Sequence, residues 1–227
     1  KQVFLAPHQE KDALTIIREK AQQQKVGLTQ ADAQSIVDGK AILKVNHKIY
    51  KVPFNLLGTF QSENLGTVVS VFNFLYQRRL VTSWQPLLST LATVKIAGRM
   101  QKIADHPPII LDGAHNPDAA KQLTKTISKL PHNKVIMVLG FLADKNISQM
   151  VKIYQQMADE IIITTPDHPT RALDASALKS VLPQAIIANN PRQGLVVAKK
   201  IAEPNDLIIV TGSFYTIKDI EANLDEK

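Results

Sequence analysis

The chain has 227 residues, 44% hydrophobic and 21% charged, which is enough apolar sequence for one or two packed domains. It has no cysteine, which excludes disulfides, thiolate metal sites and cysteine nucleophiles, and no run of about 18 apolar residues that could cross a membrane. The net charge of +7 lies mostly in residues 1–97, with 12 Lys+Arg against 6 Asp+Glu. Aromatics are only 5%, however, and no basic stripe interleaved with them argues for nucleic acid.

In chain order, KQVFLAP at the start predicts a short strand, and residues 9–24 predict a helix with Leu14, Ile17 and Ala21 on one face. Strands are expected over 41–46 and 48–52, with a hairpin turn at Asn46-His47. Two helices follow, over about 62–77 and 83–93, with Pro86 in the first turn of the second. From residue 98 the texture changes. GRMQKIA and PPIILD read as strands, followed by strands at 134–139, 160–164, 185–188 and 206–210. Helices are expected between and after them at 117–129, 147–157, 175–181, 191–202 and 214–223. The strands are continuous Val/Ile/Leu runs, as in a sheet covered on both faces. The alternation predicts an α/β fold with a doubly wound, mostly parallel sheet of about six strands. The expected domains are 1–97 and 98–227, with the boundary near Ile96-Ala97-Gly98.

Ligands of open α/β sheets bind at the carboxyl ends of the strands, so the strand-to-helix turns are the places to look. In ILDGAHNPDAA, Asp112 ends a strand, Gly113 allows a sharp turn and His115 is held within it. Asn116 and Pro117 then suit the N-cap and first position of a helix whose free N–H groups favour an anion. Asp112 could accept from a ribose hydroxyl or an amino group. In VTGSFY, Gly212 permits close backbone approach, and Ser213 can cap the last helix or bind a ligand. In TTPDHPTRA, Pro166 and Pro169 stiffen a loop whose His168 and Arg171 could face an acidic substrate. Arg99, after Gly98, could reach phosphates with its planar fork. The chain contains no G-x-x-x-x-G-K-[ST] loop, no G-x-G-x-x-G, no G-x-S-x-G, no H-E-x-x-H and no histidines at metal-ligand spacing.

GRMQ, LDGAHNPDAA, VLGFLADKN, TPDHPTRA and VTGSFYTIKD, in that order, strongly resemble the folylpolyglutamate synthase/dihydrofolate synthase family of the Mur-ligase superfamily. Upstream, LLGTFQSENLGTVVSV and KQVFLAPHQEKDAL resemble the family's central-domain segments, so the resemblance covers nearly all of this chain but only the second half of a family member. It implies a C-terminal Rossmann-like domain over 98–227, preceded by an incomplete α/β remnant of the central ATP-binding domain over 1–97. It also implies Mg-ATP bound between the two domains, phosphorylation of a folate carboxylate, and attack by the amine of L-glutamate on the acyl phosphate. Carried over by position, Asn64, Arg99 and Asp112 are the expected ATP contacts, and Arg99 and His115 the expected catalytic residues. His115, Ser213 and Arg171 are the expected contacts to glutamate or the folate tail. The phosphate loop and the Mg2+ ligands are expected upstream of Lys1. This chain alone is therefore expected to be an inactive fragment, cytoplasmic, without nucleic-acid or membrane partners, and able to dimerise through residues 1–97.

Two features depart from the family pattern: Gln101 stands where Glu is common, and Phe60 where His is common. The alternatives are a fragment of a Mur-type cell-wall precursor ligase and a non-catalytic module that binds polyglutamates or a partner. The joint presence of Arg99, Asp112 and His115 argues against the latter.

Overall fold

The computed structural model describes residues 1–45 and 47–221, which divide between Lys95 and Ile96 into two compact units. In the first unit, β1 (Gln2–Leu5), α1 (Lys11–Gln23) and β2 (Gly27–Gln30) make a parallel βαβ crossover. A separate antiparallel sheet joins β3 (Ser35–Val37), β4 (Lys40–Val45) and β5 (Lys48–Pro53). Asp38 and Gly39, both at positive φ, turn β3 into β4, a two-residue arrangement whose twist suits an antiparallel pair. Ala41, Leu43, Val45 and Val52 pack against Leu65 and Val69 of α2 (Gln61–Gln77) and Leu87 and Leu91 of α3 (Gln85–Thr93). Trp84 closes this core, with its ring 4.9 Å from Phe72.

β2 and β3 were not expected from the sequence. Gly-Leu-Thr-Gln and Ser-Ile-Val are too short and polar to show a strand period, and it is pairing with β1 and β4 that makes them strands. The expected hairpin at Asn46-His47 agrees with the pairing of Val45 with Lys48, although Asn46 lies outside the described residues.

The second unit has a six-stranded sheet in the order β10-β9-β8-β11-β7-β6. These are β6 (Gln101–Asp105), β7 (Pro108–Leu111), β8 (Val135–Gly140), β9 (Glu160–Thr164), β10 (Ile186–Ala188) and β11 (Leu207–Thr211). All neighbours are parallel except β6 and β7, so the sheet is mostly parallel with one antiparallel edge, as the sequence predicts. Its helices are α4 (Pro117–Ile127), α5 (Ile147–Gln155), α6 (Ala175–Leu178), α7 (Pro191–Ile201) and α8 (Phe214–Glu221). Residues 222 and 223 of the expected last helix lie outside the described residues.

Side chains alternate faces along a strand. Ile109, Leu111, Ile136, Val138, Ile162, Ile208 and Val210 therefore share one face, where they pack with Leu195 and Ala198 of α7 and Ile217 and Ile220 of α8. Ile110, Met137, Leu139, Ile163 and Ile209 take the other face, the side of the buried Leu123, Ile127, Met150 and Tyr154 from α4 and α5. Each such aliphatic side chain contributes roughly 1.5–3 kcal/mol by leaving water. β11 lies between β7 and β8, so the turns leaving these three strands stand side by side at the carboxyl edge.

The expected strand over GRMQKIA starts three residues late, at Gln101, because Gly98 and Met100 both have positive φ and form a turn instead. The helix expected over 175–181 is a single turn ending at Leu178.

Candidate functional site

The first cluster forms around the turn leaving β7. Asp112 is 4% exposed, and both its carboxylate oxygens accept backbone donors: Oδ2 from the Met100 N–H at 2.9 Å and Oδ1 from the Ala114 N–H at 3.0 Å. Burial pushes its carboxyl above the usual range. The Met100 and Ala114 donors and the charge of Arg99 oppose that shift. The Gly113 N–H donates to the Gly98 carbonyl at 2.7 Å, and the Gly98 N–H donates to Gln101 Oε1 at 2.7 Å. The Gly98–Met100 turn is thus sewn to the end of β7. Gln101 does this with its side-chain oxygen, a role that the Glu common in the resembling family could equally fill.

Arg99 sits in that turn with its guanidinium over the Phe214 ring, 5.0 Å from the centroid. The His115 ring is 5.9 Å from the same ring, and its Nδ1 lies 2.8 Å from the Gly113 carbonyl. A carbonyl only accepts, so Nδ1 carries the proton and Nε2 of the neutral ring is left as an acceptor. Gly113 has ordinary φ, so the reason for glycine here is not the expected sharp turn. A Cβ there would lie 2.5 Å from Phe214 Cε1, and the missing side chain is what admits the Phe214 ring. Asn116 and Pro117 behave as expected, with Asn116 Oδ1 accepting the Ala119 N–H at 2.8 Å at the start of α4.

A second cluster forms where the turn leaving β8 meets the turn leaving β9. Leu142 bridges Ala172, the Ala143 N–H donates to the Arg171 carbonyl at 2.8 Å, and the Leu173 N–H donates to the Phe141 carbonyl at 3.0 Å. GFLADKN and TPDHPTRA are therefore one paired structure. It gathers Asp144, Lys145, His168 and Arg171. Asp144 lies 3.3 Å from Lys145 and 3.7 Å from Arg171, and the Lys145 ammonium beside it holds its carboxyl below the usual range. The His168 ring meets Tyr215 edge-on, with centroids 4.5 Å apart. It also lines a cavity of about 570 Å3 with Thr165, Asn190, Arg192 and Asp219. Sequence reasoning singled out His168 and Arg171 but passed over Asp144, Lys145 and the two aromatics. Phe214 and Tyr215 are consecutive residues, each facing one of the clusters.

Other expected residues stand apart. Ser213 is 2% exposed, and its hydroxyl accepts the Thr216 N–H at 3.1 Å and contacts the Thr216 hydroxyl at 2.8 Å. Its observed work is capping α8. Gly212, at φ 106°, makes the expected close approach, since a Cβ there would lie 2.4 Å from the Gly140 carbonyl oxygen. Asn64 belongs to the other unit, exposed on the first turn of α2, where its Nδ2 donates to Gln61 Oε1 at 3.2 Å. Among the described residues, no group of three or more His, Cys, Asp or Glu could hold a metal ion.

Comparison with known proteins gives these clusters a family. Residues 98–214 match the family described as Mur ligase, glutamate ligase domain. The dihydrofolate synthase/folylpolyglutamate synthase of Bacillus subtilis is 26% identical over 94% of this chain and 52% of its own length. The corresponding Escherichia coli protein is 30% identical over 60% of this chain and 32% of its own. Among solved structures, E. coli FolC in complex with DHPP and ADP aligns with a TM-score of 0.83 at 24% identity, covering 100% of this chain and 53% of that one. The folylpolyglutamate synthase of Mycobacterium tuberculosis complexed with ADP aligns at 0.83 and 19% identity, covering 100% and 55%. Likeness at such identity shows the fold. The chain spans about half the length of the Bacillus relative. With more than half of its residues in the matching segment, the chain belongs to the Mur ligase family and carries that family's glutamate ligase domain.

Proposed function

We propose that this chain supplies the carboxyl-terminal part of an ATP-dependent ligase that adds L-glutamate to the γ-carboxylate of folates. The observation that carries this reading is the convergence of Arg99 and His115 on one Phe214 ring, above an Asp112 that ties both turns together. The names of the Bacillus and Escherichia relatives support the substrate class. In the proposed reaction, the γ-phosphoryl group of ATP moves to a carboxylate oxygen of the folate and ADP leaves. The glutamate nitrogen then attacks the carbonyl carbon, the bond to phosphate breaks, and the nitrogen loses a proton.

Each residue has a part in this scheme. Arg99 faces the phosphates, where a fixed positive charge lowers the cost of charge developing on a transferring group. Asp112 is assigned a nucleotide contact, and Asn64 is assigned another. The free Nε2 of His115 takes the proton from the amine or holds the amine in place. Arg171, with Ser213 as a lesser contact, addresses the carboxylates of glutamate or the folate tail. ATP supplies the phosphoryl group and Mg2+ neutralises its charge. The ligands for Mg2+ and the phosphate loop are assigned to protein outside these 227 residues, which contain no such loop.

The reading further places the reaction in the cytoplasm, in line with a chain free of cysteine. No helix among the described residues is long and apolar enough to cross a membrane. Dimerisation through the first unit belongs to the same reading, supported by an apolar hollow lined by Val3, Ile16, Ile17, Ala21 and Val26. Sedimentation of the chain over a concentration series tests that part.

The test of the function is ADP release by this chain fused behind the amino-terminal half of the Bacillus relative. Release should require both tetrahydrofolate and L-glutamate. Release with a UDP-muramoyl acceptor instead would move the assignment to cell-wall ligation.

A further inference from the structure

The register of the β3–β4–β5 sheet sorts its side chains onto two faces. Val37 pairs with Lys40, Ile42 with Lys51 and Lys44 with Ile49, while Ala41, Leu43 and Val45 between them point into the core. The six paired residues therefore share the face turned away from α2 and α3. Lys40, Lys44 and Lys51 are exposed there, and so are Val37 at 51% and Ile49 at 63%. Lys51 is diagonal to both other lysines, a spacing of about 7–8 Å between neighbouring positions, and Lys40 and Lys44 lie about 13 Å apart along β4. Cross-strand charges of opposite sign stabilise a sheet, but here each lysine is paired with an aliphatic side chain. The one acid in residues 35–53 is Asp38, and among the described residues none of the three lysines forms an ion pair. Lysine on an edge strand guards against pairing with another chain, which accounts for Lys51 on β5 but not for Lys40 and Lys44 on the central β4.

We propose that this face of the first unit is a holding site for the poly-γ-glutamyl chain of the folate, a proposal that rests on the folate reading above. In that reaction one carboxylate becomes an amide and the incoming glutamate brings two, so every round adds one negative charge to the product. The growing chain carries a free carboxylate on each residue, with a pair of methylene groups between successive ones. The face matches both features, with three ammonium groups free of competing carboxylates, set among Val37, Ile42 and Ile49. A lysine ammonium is a point charge on a flexible stem, which suits carboxylates at varying positions along a chain. Nucleic acid is a poorer match, because the face has no arginine and no aromatic ring on which a base could stack. A lipid surface is a poorer match too, since two exposed aliphatic side chains on a sheet are little to bury among headgroups. The affinity of the chain for its product thus rises with tail length.

The experiment uses the full 227-residue chain and reads fluorescence anisotropy of labelled γ-linked pentaglutamate and γ-linked diglutamate. The pentaglutamate should bind about tenfold or more tightly than the diglutamate, and raising salt from about 50 to about 300 mM should remove most of that difference. The triple variant Lys40→Gln, Lys44→Gln, Lys51→Gln should weaken pentaglutamate binding about tenfold with its melting temperature kept. A control triple, Lys125→Gln, Lys199→Gln, Lys200→Gln, removes the same charge from exposed positions in the second unit and should bind as the wild type does. Equal affinity for the two oligomers, or equal weakening in both triples, reduces the effect to net charge and overturns the proposal. No pentaglutamate binding, with retention on phosphatidylserine-containing vesicles that the first triple abolishes, gives the face to a lipid surface instead. Pentaglutamate binding through these lysines without folate-dependent turnover in the fused protein would retire the folate assignment and leave the polycarboxylate site standing. Turnover without such binding would do the reverse.

Discussion

Asp112 holds Met100 in a left-handed backbone conformation: its Oδ2 accepts the Met100 N–H at 2.9 Å, and the Met100 φ is 47°. Few non-glycine residues adopt that region, and it stores strain that the surroundings must over-determine. Here the constraint comes from a buried carboxylate whose other oxygen holds Ala114, so the turn that presents Arg99 and the turn that presents His115 share one anchor. Asparagine at 112 keeps one acceptor and sets an NH2 group against the other backbone donor. Asp112→Asn should therefore cost about 1–3 kcal/mol in thermal or denaturant unfolding.

The same residue gives a pH prediction. Burial raises the Asp112 carboxyl above its ordinary value of 3.8 in the folded chain. A raised group contributes stability in full below its unfolded value and loses it as pH rises through the folded value. The gap in melting temperature between wild type and Asp112→Asn should narrow from strongly acid toward neutral pH. A gap that widens over that range contradicts the burial-dominated account.

Two glycines should respond differently to alanine. At Gly212 the new Cβ would meet the Gly140 carbonyl oxygen at 2.4 Å, on a backbone at φ 106°, and backbone cannot give way cheaply. Gly212→Ala should lose more than about 2 kcal/mol or fail to fold. At Gly113 the clash is with the Phe214 ring at 2.5 Å, and that ring is 41% exposed and can swing outward. Gly113→Ala should melt nearer to wild type while losing ATP-dependent activity in the fused protein. Equal melting losses in the two variants would sink this distinction.

Phe214→Ala removes the surface on which Arg99 and His115 both rest. A half-exposed cation–π contact is worth only about 0.5–1 kcal/mol, so the effect on stability should be small. The effect on kcat/KM should be large, because two functional side chains lose their position together. Phe214→Leu should recover melting but not turnover. Full turnover in Phe214→Ala would show that the ring only fills space.

Tyr154 is wholly buried, and among the described residues neither its hydroxyl nor that of Thr211 makes a hydrogen bond of good geometry, although the two lie close enough for Thr211 to offset part of the burial. Burial holds its phenol well above the ordinary value of 10.0, so it stays protonated at all relevant pH. Removing an unsatisfied buried hydroxyl should help, and Tyr154→Phe should raise stability by about 1 kcal/mol in denaturant unfolding. A loss of stability would reveal an internal partner for that group.

The second unit was legible in the sequence because its strands are apolar runs such as Val135–Gly140 and Leu207–Thr211, separated by helices with Asn-Pro starts at 116–117 and 190–191. Local chemistry alone marks such elements. The Asp38-Gly39 turn was equally marked, as a known hairpin pair, yet went unread because β3 before it has only three residues. The left-handed Met100 could not have been foreseen, since what holds it is a carboxylate twelve residues away. The candidate site divides in the same way. Arg99, Asp112, His115 and Arg171 stand in readable turns, but their neighbours are set by the insertion of β11 between β7 and β8 and by the pairing of Leu142 with Ala172. Those are long-range facts, so the roles of Phe214, Tyr215, Asp144 and Lys145 emerged only from the fold. In the sequence His168 is a loop residue that could face an acidic substrate, while the geometry sets its Nδ1 against two backbone amides.

The most direct measurement is ATP-dependent incorporation of labelled glutamate into tetrahydrofolate, with product mass read by spectrometry. It compares the chain alone, the chain fused behind the amino-terminal half of the Bacillus relative, and the same fusion carrying Arg99→Ala. The account predicts folate products heavier by whole glutamyl residues from the fusion, at least a hundredfold less from Arg99→Ala (on the order of the loss when one transition-state charge contact is removed), and none from the chain alone. Turnover by the chain alone, or a fusion that is indifferent to Arg99, would contradict it.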